Sequence, residues 1–83
     1  MKFGASISSY TTTWDSIESA IHTMESGGWD SIWFPDHFIP PAAWKGGEDQ
    51  PIFESWSLLA AVAGMTEKLR MGHMVNGNTY RNP

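Results

Sequence analysis

Ser31-Ile32-Trp33-Phe34-Pro35-Asp36-His37-Phe38-Ile39-Pro40-Pro41 decides how this chain of 83 residues folds. Ser31 to Phe34 is apolar and suits a short buried strand. Pro35 has no N–H to give and cannot extend a central ladder. The next two residues are an acid and an imidazole, placed where the strand must stop. Neighbours on an extended backbone point to opposite sides, so Asp36 and His37 do not form a dyad with each other. Each needs its own partner. His37 has the pKa range to exchange a proton with a substrate. Asp36 can accept hydrogen bonds from a ligand or from loop N–H groups. The plainer reading makes Asp36 a cap of the loop after Pro35 and His37 an exposed side chain, and the residues alone leave both open.

Upstream, Lys2 to Ser9 reads as a strand with Phe3 and Ile7 as its bulky members. Thr12 with Asp15 three residues on resembles a capping box, which predicts a helix from Thr13 or Trp14. Trp14, Ile17, Ile21 and Met24 recur at spacings of three and four, one apolar stripe on an amphipathic helix. Gly27-Gly28 ends it, and Trp29 follows where a hydrophobic contact closes such caps. Downstream, Asp36 to Pro51 is rich in Pro and Gly and forms a long loop. Phe53 to Met65 reads as a second helix, apolar nearly all round and so covered on more than one side. A polar turn leads to a third strand, about Leu69 to Val75, and "NGNTYRNP" is a polar exit.

The order is strand, helix, strand, helix, strand. Helices between strands imply parallel pairing. The fold class is therefore α/β, a parallel β-α-β-α-β unit. Sites in such folds gather beyond the carboxyl ends of the strands. Ser8-Ser9-Tyr10, Pro35-Asp36-His37-Phe38 and Asn76-Gly77-Asn78 meet that condition.

Composition narrows the function classes. The net charge is −4 with five Lys and Arg, so there is no basic patch for nucleic acid. No apolar run has the length of a membrane span, and the first residues lack a signal-peptide core, which makes the cytoplasm the default location. Cysteine is absent, excluding disulfides and thiolate chemistry. Hydrophobic residues make up 41% and aromatics 13%, with five Trp, pointing to large contact surfaces rather than a minimal core.

Other candidates read more plainly. Asp36, His37, Glu48 and His73 are metal-ligand types, but no metal-type spacing links them, so no metal is expected. His73 alternates with Met71 and Val75 and fits a strand histidine with a hydrogen-bond partner. His22 sits beside the helical stripe and reads as surface. Arg81 could meet an anion, though a surface arginine is the commoner case. Glu54, Glu67 and Lys68 read as solvated charges. Trp44, in the polar loop, is a candidate stacking platform.

"GGWDSIWFPDHF" followed by "PIFESWSLLAAVAGMTEKLRMGHMVNGNTYRNP" resembles the luciferase-like monooxygenase superfamily, most closely its branch using the deazaflavin coenzyme F-420. The order and spacing of the pieces carry the resemblance, which covers nearly the whole chain. It implies that residues 1–83 are the first three strands and two helices of a TIM (β/α)8 barrel, an incomplete domain, since a whole barrel needs about 250 residues. It further implies an oxidoreductase moving hydride between coenzyme F-420, or alternatively FMN, and a small-molecule substrate. His37 would be the proton partner of the substrate. Asp36 would position the ring or its loop. Members have a non-prolyl cis peptide in the third strand, which falls here at Met74-Val75, so that Met74 and Val75 would form the wall behind the ring, with Asn76 and Asp36 as further cofactor-binding residues. Some members carry Trp shortly after Asp-His-Phe, where this chain has Pro40-Pro41. The full-length form is expected to be a homo-oligomer, and the chain alone to be inactive. Two other classes stand beside this reading: a small β-α-β-α-β module dimerising through its open edge, and a metal-dependent hydrolase fragment using Asp36, His37 and His73.

Overall fold

The computed structural model describes residues 1–41 and 47–82. The elements run β1 (Gly4–Ser6), α1 (Trp14–Ser26), β2 (Ser31–Phe34), a short 3-10 turn (Gly47–Asp49), α2 (Ser55–Gly64) and β3 (Arg70–His73). The three strands form one sheet in the order β1-β2-β3, parallel throughout. The expected alternation and pairing are thus present. Trp44 and the side chain of Glu48 lie outside what is described.

The register sets the two faces of the sheet. Ala5, Ile32 and Met71 are level across the three strands, and Phe34 pairs with His73. This face meets the helices: Ile32 and Phe34 join Ile17, Ile21 and Met24 of α1, Leu58 and Val62 of α2, and Leu69 in one buried cluster. The other face carries Gly4, Ser6, Ser31, Trp33, Arg70 and Gly72. The described helices α1 and α2 both lie on the Ile32 side. Trp33 spreads across β3 on the open side, where a Cβ at Gly72 would stand 2.9 Å from its Cζ3. That close approach is what requires glycine at position 72.

Helix α1 starts where the pattern predicts, but its cap is Thr13 rather than Thr12. The Thr13 hydroxyl accepts the Ser16 N–H at 3.2 Å. Ile17, Ile21 and Met24 face the core, and Trp14 is half-buried, its indole N–H donating to Glu18 at 2.9 Å. The left-handed residue at the end is Gly28, with φ +80°, one place beyond the cap at Gly27. The last turn holds Glu25. Its carboxylate accepts the N–H groups of Glu67, Lys68 and Leu69 at 3.0, 2.7 and 3.1 Å. These contacts, the Glu67 N–H foremost, hold the carboxyl below its ordinary range. They fasten the turn before β3 to the end of α1.

Helix α2 is shorter than its apolar run, and Glu54 caps it. That carboxylate accepts the N–H of Trp56 at 3.3 Å and of Ser57 at 2.8 Å. Reading Glu54 as an ordinary solvated charge is therefore corrected. So is the expectation that α2 is covered on several sides. Ser55, Leu58 and Val62 are buried, but Trp56, Ala60, Ala61 and Ala63 are exposed, because both layers that reach the helix lie on one side of it.

The outer strands are shorter than the pattern suggests, since regular pairing needs a facing partner. β1 ends at Ser6, with the Ile7 N–H still bonded to the Trp33 carbonyl at 2.9 Å, and Phe3 is exposed. β3 ends at His73, with the Met74 N–H still bonded to the Phe34 carbonyl at 2.9 Å. The long loop returns to the sheet at Ile52, which bridges Tyr10, while the Phe53 N–H bonds the Ser9 carbonyl at 3.0 Å.

The Trp33–Gly72 contact yields a direct test. Gly72→Val is expected to destabilise the chain by about 1–3 kcal/mol through overpacking, read from the urea midpoint. Adding Trp33→Leu should recover most of the loss. Equal loss in single and double variants would show that the indole is not what excludes a side chain at position 72.

Candidate functional site

Parallel strands end at the same edge, so the segments after β1, β2 and β3 gather there. Asp36 joins two of them. It is buried, and both carboxylate oxygens are taken. Oδ2 accepts the Gly77 N–H at 2.8 Å and the Arg81 Nε–H at 2.7 Å, and Oδ1 accepts a short bond from Arg81 Nη2. The Asp36 carbonyl accepts the Tyr80 hydroxyl. The exit segment is thereby strapped over the end of β2. Asp36 does accept a loop N–H, as the residues allow, but that N–H belongs to Gly77 on the exit from β3, not to the loop after Pro35 that the plainer reading has it cap.

Arg81 reaches further. Its Nη2 also donates to Glu54, the cap of α2, and its Cζ stands 5.2 Å over the Phe38 ring. One guanidinium thus joins the ends of β2 and β3 to the start of α2, rather than lying on the surface. The effect on titration follows. Bonding to Arg81 holds Asp36 below the usual carboxylate range against the opposing effect of burial. Bonding to Arg81, then to Ser57, pushes Glu54 down to about 2. The two carboxylates in turn raise the Arg81 pKa. Gly77 is obligatory here, since the Tyr80 ring occupies the space a side chain would take.

His37 points away from this cluster, as the alternation at the strand end predicts. It is exposed, and its ring meets Tyr10 edge-on at 5.9 Å. Tyr10 is buried, and burial, helped by Tyr80, raises its pKa. At the end of β3 the Met74–Val75 peptide is cis, at the position the resemblance indicated, and the side chains of Met74 and Val75 are exposed. Asn76 follows, its Oδ1 accepting the indole N–H of Trp56 at 3.1 Å.

His73 differs from expectation. It lies on the helix-covered face against Trp56, ring centroids 4.7 Å apart, and its buried Nε2 finds no hydrogen-bond partner among the described residues. A strand histidine was expected to have one; here the Trp56 ring lies against the imidazole, and Asp36 is near enough to feel its charge without bonding Nε2. The Oγ atoms of Ser9 and Ser55 are likewise buried without a described partner. His22 is exposed, as expected. Among the described residues no three His, Asp or Glu side chains lie close enough together to hold a metal ion, so Asp36, His37 and His73 do not form a ligand set. Between the exit segment and α2 opens a pocket of about 530 Å³, lined by Phe38, Trp56, Asn76, Tyr80, Arg81 and Asn82. No described helix is long and apolar enough to cross a membrane.

The sequence reading missed Glu25 and the joint role of Glu54 and Arg81. A signal existed for each. An acid in the last turn of a helix is opposed by the helix dipole unless donors meet it, and an acid just before an apolar helix is placed to cap it.

The family model for luciferase-like monooxygenases matches residues 1–83. The chain therefore belongs to the luciferase-like monooxygenase family, a family of oxidoreductases. No curated protein and no solved structure matches it.

The lowered carboxyls set an acid limit. Their stabilisation is complete above the unfolded carboxyl range and is lost as pH falls through the folded values, which for Glu54 means from its ordinary 4.5 to about 2. The urea midpoint should be flat near neutrality and fall across that window. Asp36→Asn should lower the midpoint at neutral pH and make the acid limb shallower. An unchanged neutral midpoint would show that the Arg81 strap adds no stability.

Proposed function

We propose that the chain forms the first three strands and two helices of a luciferase-like (β/α)8 barrel that moves hydride between coenzyme F-420, or alternatively FMN, and a small organic substrate. The observation that carries this reading is the carboxyl edge of the sheet. It presents an exposed imidazole, His37, after β2 and the exposed apolar side chains of Met74 and Val75 after β3. The open face of the sheet adds support. Parallel sheets are ordinarily covered on both faces. Here the second face is built from Gly4, Ser6, Ser31, Arg70 and Gly72 around a single Trp33. That is too little apolar surface to seat another helix layer. It suits a sheet curving on itself, with Trp33 filling the interior.

These residues fit a planar ring. Met74 and Val75 give it an apolar backing. Asn76 keeps its amide NH₂ for a carbonyl edge, because its oxygen is held by Trp56. A bound deazaflavin or flavin would supply the hydride chemistry itself. The chain's own work is different. A ring nitrogen of His37 carries the substrate proton, and the edge contact with Tyr10 limits how far that imidazole swings. Asp36 acts as a positioning residue: by holding Gly77 and Arg81 it keeps Met74 to Asn76 against the end of β2.

A second reading, the dimerising module, is favoured by the open apolar groove that Trp56, Leu59, Ala60, Ala63 and Met71 line. Sedimentation of the chain separates the two, since a defined dimer without coenzyme binding favours the module.

In a complete barrel carrying this segment, F-420 or FMN should bind saturably, followed by coenzyme fluorescence. Binding of neither overturns the cofactor assignment. His37→Asn should lower turnover by about 10²–10⁴-fold while coenzyme binding persists. Unchanged turnover would remove His37 from the proton step.

A further inference from the structure

Trp56 makes contacts that neither its helix nor the core requires. It lies in the first turn of α2 and is half exposed, so burial does not explain its orientation. Its ring rests on His73 at a centroid distance of 4.7 Å. Its indole N–H donates to Asn76 Oδ1 at 3.1 Å. His73 and Asn76 are the residues immediately before and after Met74-Val75. One rigid side chain on a helix therefore grips both ends of a two-residue segment whose own side chains face outward, at 53% and 75% exposure. A segment so exposed has little packing of its own to hold it.

We infer that Trp56 is a positioning residue that clamps the Met74–Val75 wall from the side of α2. The grip has two unlike parts. The ring face restrains His73, whose buried Nε2 has no described partner to do so. The indole N–H restrains Asn76, orienting its amide so that the NH₂ faces away from the helix. An aromatic with two torsions holds such a geometry at low entropic cost. Glu54, which caps the same turn and bonds Arg81, fixes the position from which Trp56 reaches. The clamp acts at His73 and Asn76, while Asp36 holds the next residue, Gly77. Trp56 would thereby influence how firmly a ring is backed without touching the proton-carrying imidazole. Only this last consequence rests on the cofactor reading above.

Trp56→Phe keeps an aromatic face toward His73 and removes the N–H, and Asn76→Ala removes the acceptor. In methyl NMR of the chain with labelled methionines, both variants should shift the Met74 resonance and leave that of Met24, in the core, in place. An unmoved Met74 resonance in Trp56→Phe overturns the clamp. So does an equal shift of Met24, which would mark general loosening. In a complete barrel, Trp56→Phe should raise the F-420 Kd about five- to tenfold, while the urea midpoint falls by no more than the loss of one hydrogen bond explains. A shifted Met74 with an unchanged Kd supports the clamp and refutes the wall as a ring contact. Failure of the unsubstituted barrel to bind F-420 or FMN refutes the cofactor reading, while the Met74 resonance still decides the clamp.

Discussion

The bond between Asp36 and Arg81 organises everything at the carboxyl edge. A buried carboxylate must be paired and hydrogen-bonded to remain charged. Asp36 meets that demand with donors from Gly77 and Arg81, both on the exit from β3. Arg81 then meets Glu54, so the same cation holds the cap of α2. The end of β2, the exit of β3 and the start of α2 thus share one electrostatic arrangement. Withdrawing Arg81 would leave two acids facing each other's field and a buried charge with one donor. The arrangement carries more acid than base, so its polarity tends to repel anions rather than gather them.

This geometry separates two neighbouring residues by role. Asp36 turns inward and is consumed by structure. His37 turns outward and is exposed, with the edge of Tyr10 against it. The strand end needs both. The inward acid ties the exit from β3 to the end of β2, and the outward imidazole leaves a ring open to solvent at the same edge.

The sequence was most legible where signals are local. The spacing of Ile17, Ile21 and Met24, the proline after Phe34 and the paired glycines after α1 each act within a few residues, and each element they imply is present. The Asp36–His37 divergence follows from strand alternation alone. The cis peptide at Met74-Val75 came from resemblance, since nothing in those residues demands it. What stayed hidden lies far apart along the chain. Asp36 and Arg81 are separated by 45 positions, Glu54 and Arg81 by 27, and Glu25 and Leu69 by 44. No periodicity registers such pairs: the positions of Glu25 and Glu54 signal that each needs donors, not which distant donors meet it. The partial covering of α2 was misread for a related reason: composition records how apolar a helix is, while coverage depends on which neighbours reach it.

Glu25 has a consequence of another kind. It holds the turn at residues 67–69 chiefly through main-chain N–H groups, with the Lys68 charge a smaller addition, so it depends little on what side chains stand there. Glu67 and Lys68 can drift to almost any residue over evolutionary time without disturbing the contact. Their number cannot drift, because an insertion or deletion would move the amides out of register with a carboxylate fixed on a helix. Proline is barred from each of the three positions for want of a hydrogen. The turn should therefore vary freely in composition among relatives while keeping its length, a pattern of tolerance opposite to that of most exposed loops.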